Sequence, residues 1–269
     1  MSTVRVGAVT IGAGHPLVLI AGPCVLEGED PALRNADAVV RAAADAGVPV
    51  IFKASFDKAN RTSASARRGP GLATGLRMLR GVRERFGIPV TTDVHLPDQA
   101  DAVAEHVDLL QIPAFLCRQT DLLLACAATG RPINIKKGPF LAPGDLAHAI
   151  AKGRPGAVMV TERGTSFGHH DLVVDFRGFA EMAALGVPVC FDATHSVQRP
   201  GLGGDRSGGD RAFIPLLSRA AVAAGVDAVF AEVHEDPANA WSDAATQWPL
   251  AELPALLATW VRVAAAVGR

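Results

Sequence analysis

Residues 47–54 read Gly47-Val48-Pro49-Val50-Ile51-Phe52-Lys53-Ala54. A glycine and a proline punctuate the end of the Ala-rich stretch before them, and a short β-branched run follows that closes on a lysine. This pattern predicts a helix that stops, a buried strand that starts, and a charge at the strand's carboxyl end. The same punctuation recurs at Gly87-Ile88-Pro89, Arg131-Pro132 and Gly186-Val187-Pro188. Working outward, eight strands are predicted at Leu17–Ala21, Pro49–Ala54, Pro89–Asp93, Leu109–Ile112, Pro132–Lys136, Ala157–Thr161, Pro188–Asp192 and Ala228–Glu232. The stretches between them carry apolar residues at helical spacing, for example Leu33, Ala36, Val39, Val40 and Ala43. Strand and helix alternate along the whole chain, which is the pattern of βα units on a parallel sheet. Eight such units close most naturally into a (β/α)8 TIM barrel, so the expected fold class is α/β, in one domain over residues 1–269. The leading Val4–Ile11 segment alternates around a glycine and is expected to form a hairpin, within residues 1–14, that caps the barrel floor.

Composition agrees with that class. Of 269 residues, 49% are hydrophobic, and 26 basic side chains face 27 acidic ones for a formal net charge of −1. A disordered or disulfide-stapled chain is excluded. The balance, with no basic block, argues against nucleic-acid and polybasic membrane partners. No apolar run reaches the ~20 residues of a membrane span, and Met1–Gly14 lacks the features of a signal peptide, so a cytoplasmic location is expected. Cys24, Cys117, Cys126 and Cys190 form no CxxC pair and read as thiols or a metal ligand rather than disulfides.

In a barrel, the carboxyl ends of all strands face one mouth. Every predicted strand delivers polar residues there: Cys24; Lys53 and Ser55; Asp93 and His95; Gln111; Lys136 and Lys137; Glu162 and Arg163; Asp192 and His195; Glu232 and His234. Two loops are long, Ser55–Pro70 and the Gly-rich Ser196–Asp210, and long loops after strands are where barrels keep chemistry. The chain has only five lysines, and Lys53, Lys58, Lys136 and Lys137 all fall at strand ends or in the loop after the second strand. With Arg61, Arg118 and Arg163 they make seven candidate cations, enough for two phosphates of about −1.5 to −2 each.

Closure also brings the first strand beside the eighth, so Cys24, His195, Glu232 and Asp243 fall on one arc of the rim. A thiolate, an imidazole and carboxylates suit Zn²⁺, Fe²⁺, Mn²⁺ or a similar divalent ion. Taken singly, Cys24 is more often a small buried hydrophobe and His195 more often a hydrogen-bonded loop histidine.

From about Leu17 to Leu250 the chain resembles the 3-deoxy-D-manno-octulosonate 8-phosphate synthase family. The strings that carry the likeness are Ala21-Gly22-Pro23-Cys24-Val25-Leu26-Glu27, Phe52-Lys53-Ala54-Ser55-Phe56-Asp57-Lys58-Ala59-Asn60-Arg61, Thr92-Asp93-Val94-His95 and Gln111-Ile112-Pro113-Ala114-Phe115-Leu116. Further on come Asn134-Ile135-Lys136-Lys137-Gly138, Thr161-Glu162-Arg163-Gly164-Thr165, Phe191-Asp192-Ala193-Thr194-His195-Ser196-Val197-Gln198 and Ser242-Asp243-Ala244. The resemblance implies a barrel enzyme that condenses phosphoenolpyruvate with D-arabinose 5-phosphate and water, releasing phosphate, for the lipopolysaccharide inner core. It also implies a homo-oligomer, a tetramer.

The resemblance further implies that Lys53, Ser55, Lys58 and Gln111 hold the phosphoenolpyruvate carboxylate end and that Lys136 and Arg163 hold its phosphate. It assigns Asn60, Arg61 and Thr62 to the sugar phosphate, Asp93 to the substrate-binding set, and Arg118 to a neighbouring subunit's phosphate site. Lys136, His195 and Asp243 are the implied catalytic groups. Cys24, His195, Glu232 and Asp243 are the implied ligands of one divalent ion, because the metal-independent branch carries Asn where Cys24 stands. The related heptulosonate-forming synthases, which take erythrose 4-phosphate, carry Lys-Pro-Arg-Thr where this chain has Lys58-Ala59-Asn60-Arg61. Thr62 stands where Ser is common. A non-catalytic sugar-phosphate-binding barrel is the alternative from another class; it needs the cations but not the metal set.

Overall fold

Two short strands, β1 (Val4–Val6) and β2 (Val9–Ile11), open the computed structural model, which describes residues 2–61, 63–154, 156–203 and 206–268. Then follow β3 (Val18–Gly22), α1 (Glu29–Ala46), β4 (Val50–Lys53), α2 (Leu72–Phe86) and β5 (Val90–Asp93). Next come α3 (Ala100–His106), β6 (Leu109–Ile112), α4 (Thr120–Ala128), β7 (Ile133–Lys136), α5 (Leu146–Gly153) and β8 (Val158–Glu162). A small hairpin of β9 (Thr165–Ser166) and β10 (Leu172–Val173) precedes α6 (Arg177–Ala184) and β11 (Val189–Asp192). A second hairpin of β12 (Gln198–Gly203) and β13 (Arg206–Gly209) leads to α7 (Ile214–Ala223) and β14 (Ala228–His234), and β15 (Trp248–Pro249) and α8 (Leu253–Ala266) end the fold.

Strands β3, β4, β5, β6, β7, β8, β11 and β14 pair in that order, all parallel, and β14 returns to pair with β3 from Ala228↔Val18 to Glu232↔Gly22. The TIM barrel expected from the sequence is therefore closed, and each predicted strand is present within two residues of its expected ends. The four prolines lie one residue outside their ladders because they have no N–H to donate. Their carbonyls still accept: Leu19 donates to Pro49 O (2.9 Å), Phe52 to Pro89 O (2.9 Å), Leu110 to Pro132 O (3.0 Å) and Val160 to Pro188 O (3.0 Å). Gly47 (φ 67) and Gly87 (φ 64) end α1 and α2 in the left-handed region, which only glycine enters freely.

Two apolar layers hold the barrel. The larger lies between strands and helices, where β-residues such as Leu19, Phe52 and Leu110 meet Val39, Leu79 and Leu257. The smaller fills the lower barrel, where Val18, Ile20, Ile51, Leu109, Met159, Cys190 and Phe230 pack with Val4, Val6 and Ile11. The N-terminal hairpin is thus the floor. Because strand side chains alternate, the inward face that carries Ile51, Cys190 and Phe230 carries Lys53, Asp192 and Glu232 two residues later. The upper barrel is consequently lined with buried charge. The long loop after β11 contributes the β12–β13 hairpin, which the sequence reading left unstructured. Among the described residues no helix is long and apolar enough to cross a membrane.

Candidate active site

A cavity of about 190 Å³ opens at the carboxyl end of the barrel. Its walls include Lys53, Lys58, Asn60, Asp93, Gln111, Lys136, Arg163, His195 and Glu232, joined by Asp57, His95 and the Pro113–Leu116 segment. Sequence order scatters these residues over most of the chain; closure of the strands collects them. The Arg163 guanidinium is buried, and its Nη1 has no hydrogen-bond partner among the described residues. A buried donor without a partner is costly, so this nitrogen is poised for an anion.

At one side of the cavity, ligand atoms of Cys24, Glu232 and Asp243 lie within 4.8 Å of one another. Cys24 Sγ donates to Asp243 Oδ2 at 2.9 Å. His195 Nε2 stands 3.7 Å from Glu232 Oε2 and 3.9 Å from Asp243 Oδ2. Its Nδ1 lies 2.8 Å from Asp192 Oδ2, and Nε2 is the ring nitrogen turned toward the cluster. Glu232 Oε2 is buried with no hydrogen-bond partner among the described residues. A thiol sulfur, an imidazole nitrogen and two carboxylates around an orphaned oxygen fit a divalent ion of the Zn²⁺, Fe²⁺ or Mn²⁺ kind.

Asp243 adopts φ 49, a left-handed conformation uncommon outside glycine. Its carbonyl accepts from Thr246 N and Gln247 N, both at 2.9 Å. Gln247 also accepts from Cys24 N (3.2 Å) and donates to Ser242 O (2.8 Å), tying the Cys24 segment to the Asp243 segment.

The electrostatics follow from burial set against neighbours. Burial raises the Cys24 thiol well above its ordinary value, and Asp243 and Glu232 push the same way. Burial also works against the Glu232 carboxylate, but Lys53, His195 and Lys58 outweigh it and hold its pKa low. Asp93 behaves likewise: burial opposes its charge, and Lys53, Lys58, His95 and Lys136 prevail. For Lys53 the desolvation cost is outweighed chiefly by Glu232, 2.6 Å away, so its pKa rises.

A one-way hydrogen-bond chain crosses the upper barrel. Thr161 Oγ1 donates to Asn134 Oδ1 (2.7 Å), Asn134 Nδ2 to Gln111 Oε1 (3.1 Å), and Gln111 Nε2 to Asp93 Oδ1 (2.7 Å). Ser55 Oγ donates to the other oxygen of Asp93. Asp192 is a second hub: Oδ2 accepts from Lys136 Nζ at 2.5 Å, and Oδ1 accepts from His195 N at 2.8 Å. The Lys136 ammonium also lies 3.6 Å from the centre of the Phe230 ring.

Arg61, Arg118 and Lys137 do not line the cavity. Arg61 donates to Arg67 O (2.6 and 2.9 Å), Trp241 O (2.8 Å) and Ser242 Oγ (2.9 Å), bracing the loop after β4 against the Asp243 segment. Arg118 is exposed. Lys137 is fully buried beneath the mouth, bonded to Thr165 Oγ1 (3.0 Å) and Leu141 O (3.3 Å) and 3.5 Å from Glu162 Oε2. Its role is to pin the loops after β7 and β8. Thr62 lies outside the described residues. Sequence reasoning did not nominate Asp57, Gln198 or Gln247. Gln198 falls inside a string that carries the resemblance, but an amide has no charge or spacing signature to mark it.

Comparison with known proteins agrees with this geometry. The family model described as the DAHP synthetase I family matches residues 2–268. Proteins named 2-dehydro-3-deoxyphosphooctonate aldolase are similar nearly end to end. The one from Pelobacter propionicus is 55% identical, covering 97% of each chain. Those from Syntrophotalea carbinolica and a Synechococcus species are 54% and 55% identical, covering 98% and 96% of this chain and 97% and 92% of theirs. Matched over almost its whole length, the chain belongs to the DAHP synthetase I family.

Proposed function

We propose that the protein condenses phosphoenolpyruvate with D-arabinose 5-phosphate and water, giving 3-deoxy-D-manno-octulosonate 8-phosphate and inorganic phosphate. The observation that carries this reading is the meeting of Lys53, Lys58, Lys136 and Arg163 in one cavity that also borders the Cys24–Glu232–Asp243 cluster. The two substrates bring roughly five negative charges, and without such cations they would repel one another. The Lys58-Ala59-Asn60-Arg61 string and the names of the relatives favour the pentose phosphate over erythrose 4-phosphate. A non-catalytic binder would not need a sulfur-bearing cluster beside its anion site.

In this reading Arg163 Nη1 and Lys136 hold the phosphoenolpyruvate phosphate, and Lys53 and Lys58 balance its carboxylate. Asn60 lies at the cavity wall for the sugar. The enol carbon attacks the aldehyde, water adds to the neighbouring carbon, and phosphate departs with C–O cleavage. Lys136 stabilises charge growing on the departing phosphate. Asp243 is placed to move the water's proton, while His195 faces the cluster through Nε2. Cys24, His195, Glu232 and Asp243 would hold one divalent ion, which when bound supplies Lewis acidity toward the aldehyde oxygen or the water. The exposed Arg118 is proposed to reach the phosphate site of a neighbouring subunit in a cytoplasmic homotetramer.

Phosphate release is to be measured with phosphoenolpyruvate and each of the two aldoses, with and without chelator, followed by metal analysis. Turnover with arabinose 5-phosphate that chelation abolishes and a divalent ion restores is expected. Preference for erythrose 4-phosphate, or full activity of a metal-stripped Cys24→Ala protein, would reject the substrate and the metal assignment respectively. Sedimentation of the purified protein as a monomer would reject the role of Arg118.

A further inference from the structure

Arg163 and Asp243 are opposite in charge and lie at the two halves of the site, yet they do not pair with each other. The amide of Gln198, itself buried, stands between them. Arg163 Nη2 donates to Gln198 Oε1 at 2.8 Å, and Gln198 Nε2 donates to Asp243 Oδ1 at 2.9 Å. A guanidinium only donates and a carboxylate only accepts, so one orientation of the amide satisfies both and its flip satisfies neither. With Gln198 in place, Arg163 Nη1 has no partner among the described residues and Asp243 keeps Oδ2 on the Cys24 side. In its absence, two buried opposite charges would gain by collapsing onto each other.

The backbone around Gln198 is equally constrained. Gln198 opens β12 opposite Gly209 of β13. A Cβ at Gly209 would fall 2.2 Å from Thr246 Cγ2 and 2.9 Å from Val197 O. The hairpin root is therefore seated directly on the segment that carries Asp243.

We propose that Gln198 is a positioning residue that acts as a neutral spacer. It holds Arg163 free for the phosphate of phosphoenolpyruvate and Asp243 free for a divalent cation, so both half-sites depend on one amide. This rests on the function proposed above. The amide is also where the long loop after β11 joins the site, so loop position and the two half-sites are set together.

The test uses the full chain as wild type, Gln198→Leu and Gln198→Glu. Phosphoenolpyruvate binding is followed by calorimetry, and Co²⁺ binding, without substrate, by its thiolate absorption band. Gln198→Leu removes both bonds and is expected to weaken both ligands by about tenfold or more. Gln198→Glu can still accept from Arg163 but cannot donate to Asp243. Its negative charge pairs with Arg163, so it is expected to weaken phosphoenolpyruvate by about tenfold or more although the side chain keeps its size, and it decides the question if the leucine variant does not fold. Wild-type affinity of Gln198→Leu for both ligands, or wild-type phosphoenolpyruvate affinity of Gln198→Glu, would overturn the spacer alone. A wild-type protein that binds neither ligand would overturn the proposed function as well.

Discussion

Lys53 Nζ lies 2.6 Å from Glu232 Oε1, with both side chains about 1% exposed, although β4 and β14 are separated by β3. The two meet because both side chains point into the closed barrel at one level, where β3 places Gly22 opposite Glu232. Lys53 also donates to Cys24 O at 3.0 Å, so the same ammonium fixes the backbone of the cluster's sulfur ligand.

Breaking this buried pair from one side leaves an uncompensated charge. Lys53→Met is expected to cost about 3–5 kcal/mol in urea unfolding. The double variant Lys53→Met/Glu232→Gln should recover most of that loss while remaining inactive. Additive losses in the double variant would show that the pair is not coupled.

A methyl group at Gly22 would lie 2.0 Å from the Lys53 carbonyl oxygen, which is backbone and has little room to retreat. Gly22→Ala is therefore expected to lower the thermal midpoint by several degrees or to give insoluble protein. Gly47→Ala meets no neighbouring atom within 4 Å and pays only for its left-handed φ, so it should cost no more than about 2 kcal/mol. Gly22 also has a positive φ (157), so the excess cost of Gly22→Ala over Gly47→Ala reports the clash.

Acid should destabilise the fold in a defined window. Asp93 is held below its ordinary value because Lys53, Lys58, His95 and Lys136 overcome its burial. Asp57 is lower because its bonds with Arg68 overcome the same penalty. The unfolded chain therefore takes up these protons first as pH falls, and stability declines from about pH 4 downward, toward the lowered folded values. Thermal unfolding against pH should show that decline, and Asp93→Asn should flatten it. An unchanged acid limb in Asp93→Asn would assign the effect to other carboxylates.

Lys136 is bonded to Asp192 and lies over Phe230, with its ammonium at the cavity wall. Lys136→Ala should lower kcat/KM for phosphoenolpyruvate by about 10²–10³ and change KM for the sugar phosphate little. Equal effects on both substrates in steady-state kinetics would reject the division of the site into two halves.

Much of the architecture was legible in residues 47–54 and their repeats, because helix stops, prolines and β-branched runs act on their immediate neighbours. The polar ends of strands were legible for the same reason: Lys53, Asp93, Gln111, Lys136 and Glu232 each follow an apolar run with the period of a strand. Other features needed contacts between distant segments. Arg61 looked like a free cation in a loop, yet Trp241 and Ser242, 180 and 181 residues further on, take up its donors. Lys137 looked like a partner of Lys136, but alternation turns it away from the cavity to Thr165 and Leu141.

The sequence by itself determined that the chain would alternate strand and helix eight times and carry its charges at one rim, since those properties depend on local sterics and on the two-residue period of a strand. Only the tertiary structure decided which charges face each other. Closure of the barrel brings Lys53 to Glu232, and Gln198 parts Arg163 from Asp243. Both relations depend on distances across the closed barrel, where burial makes the charge of each group depend on its neighbours.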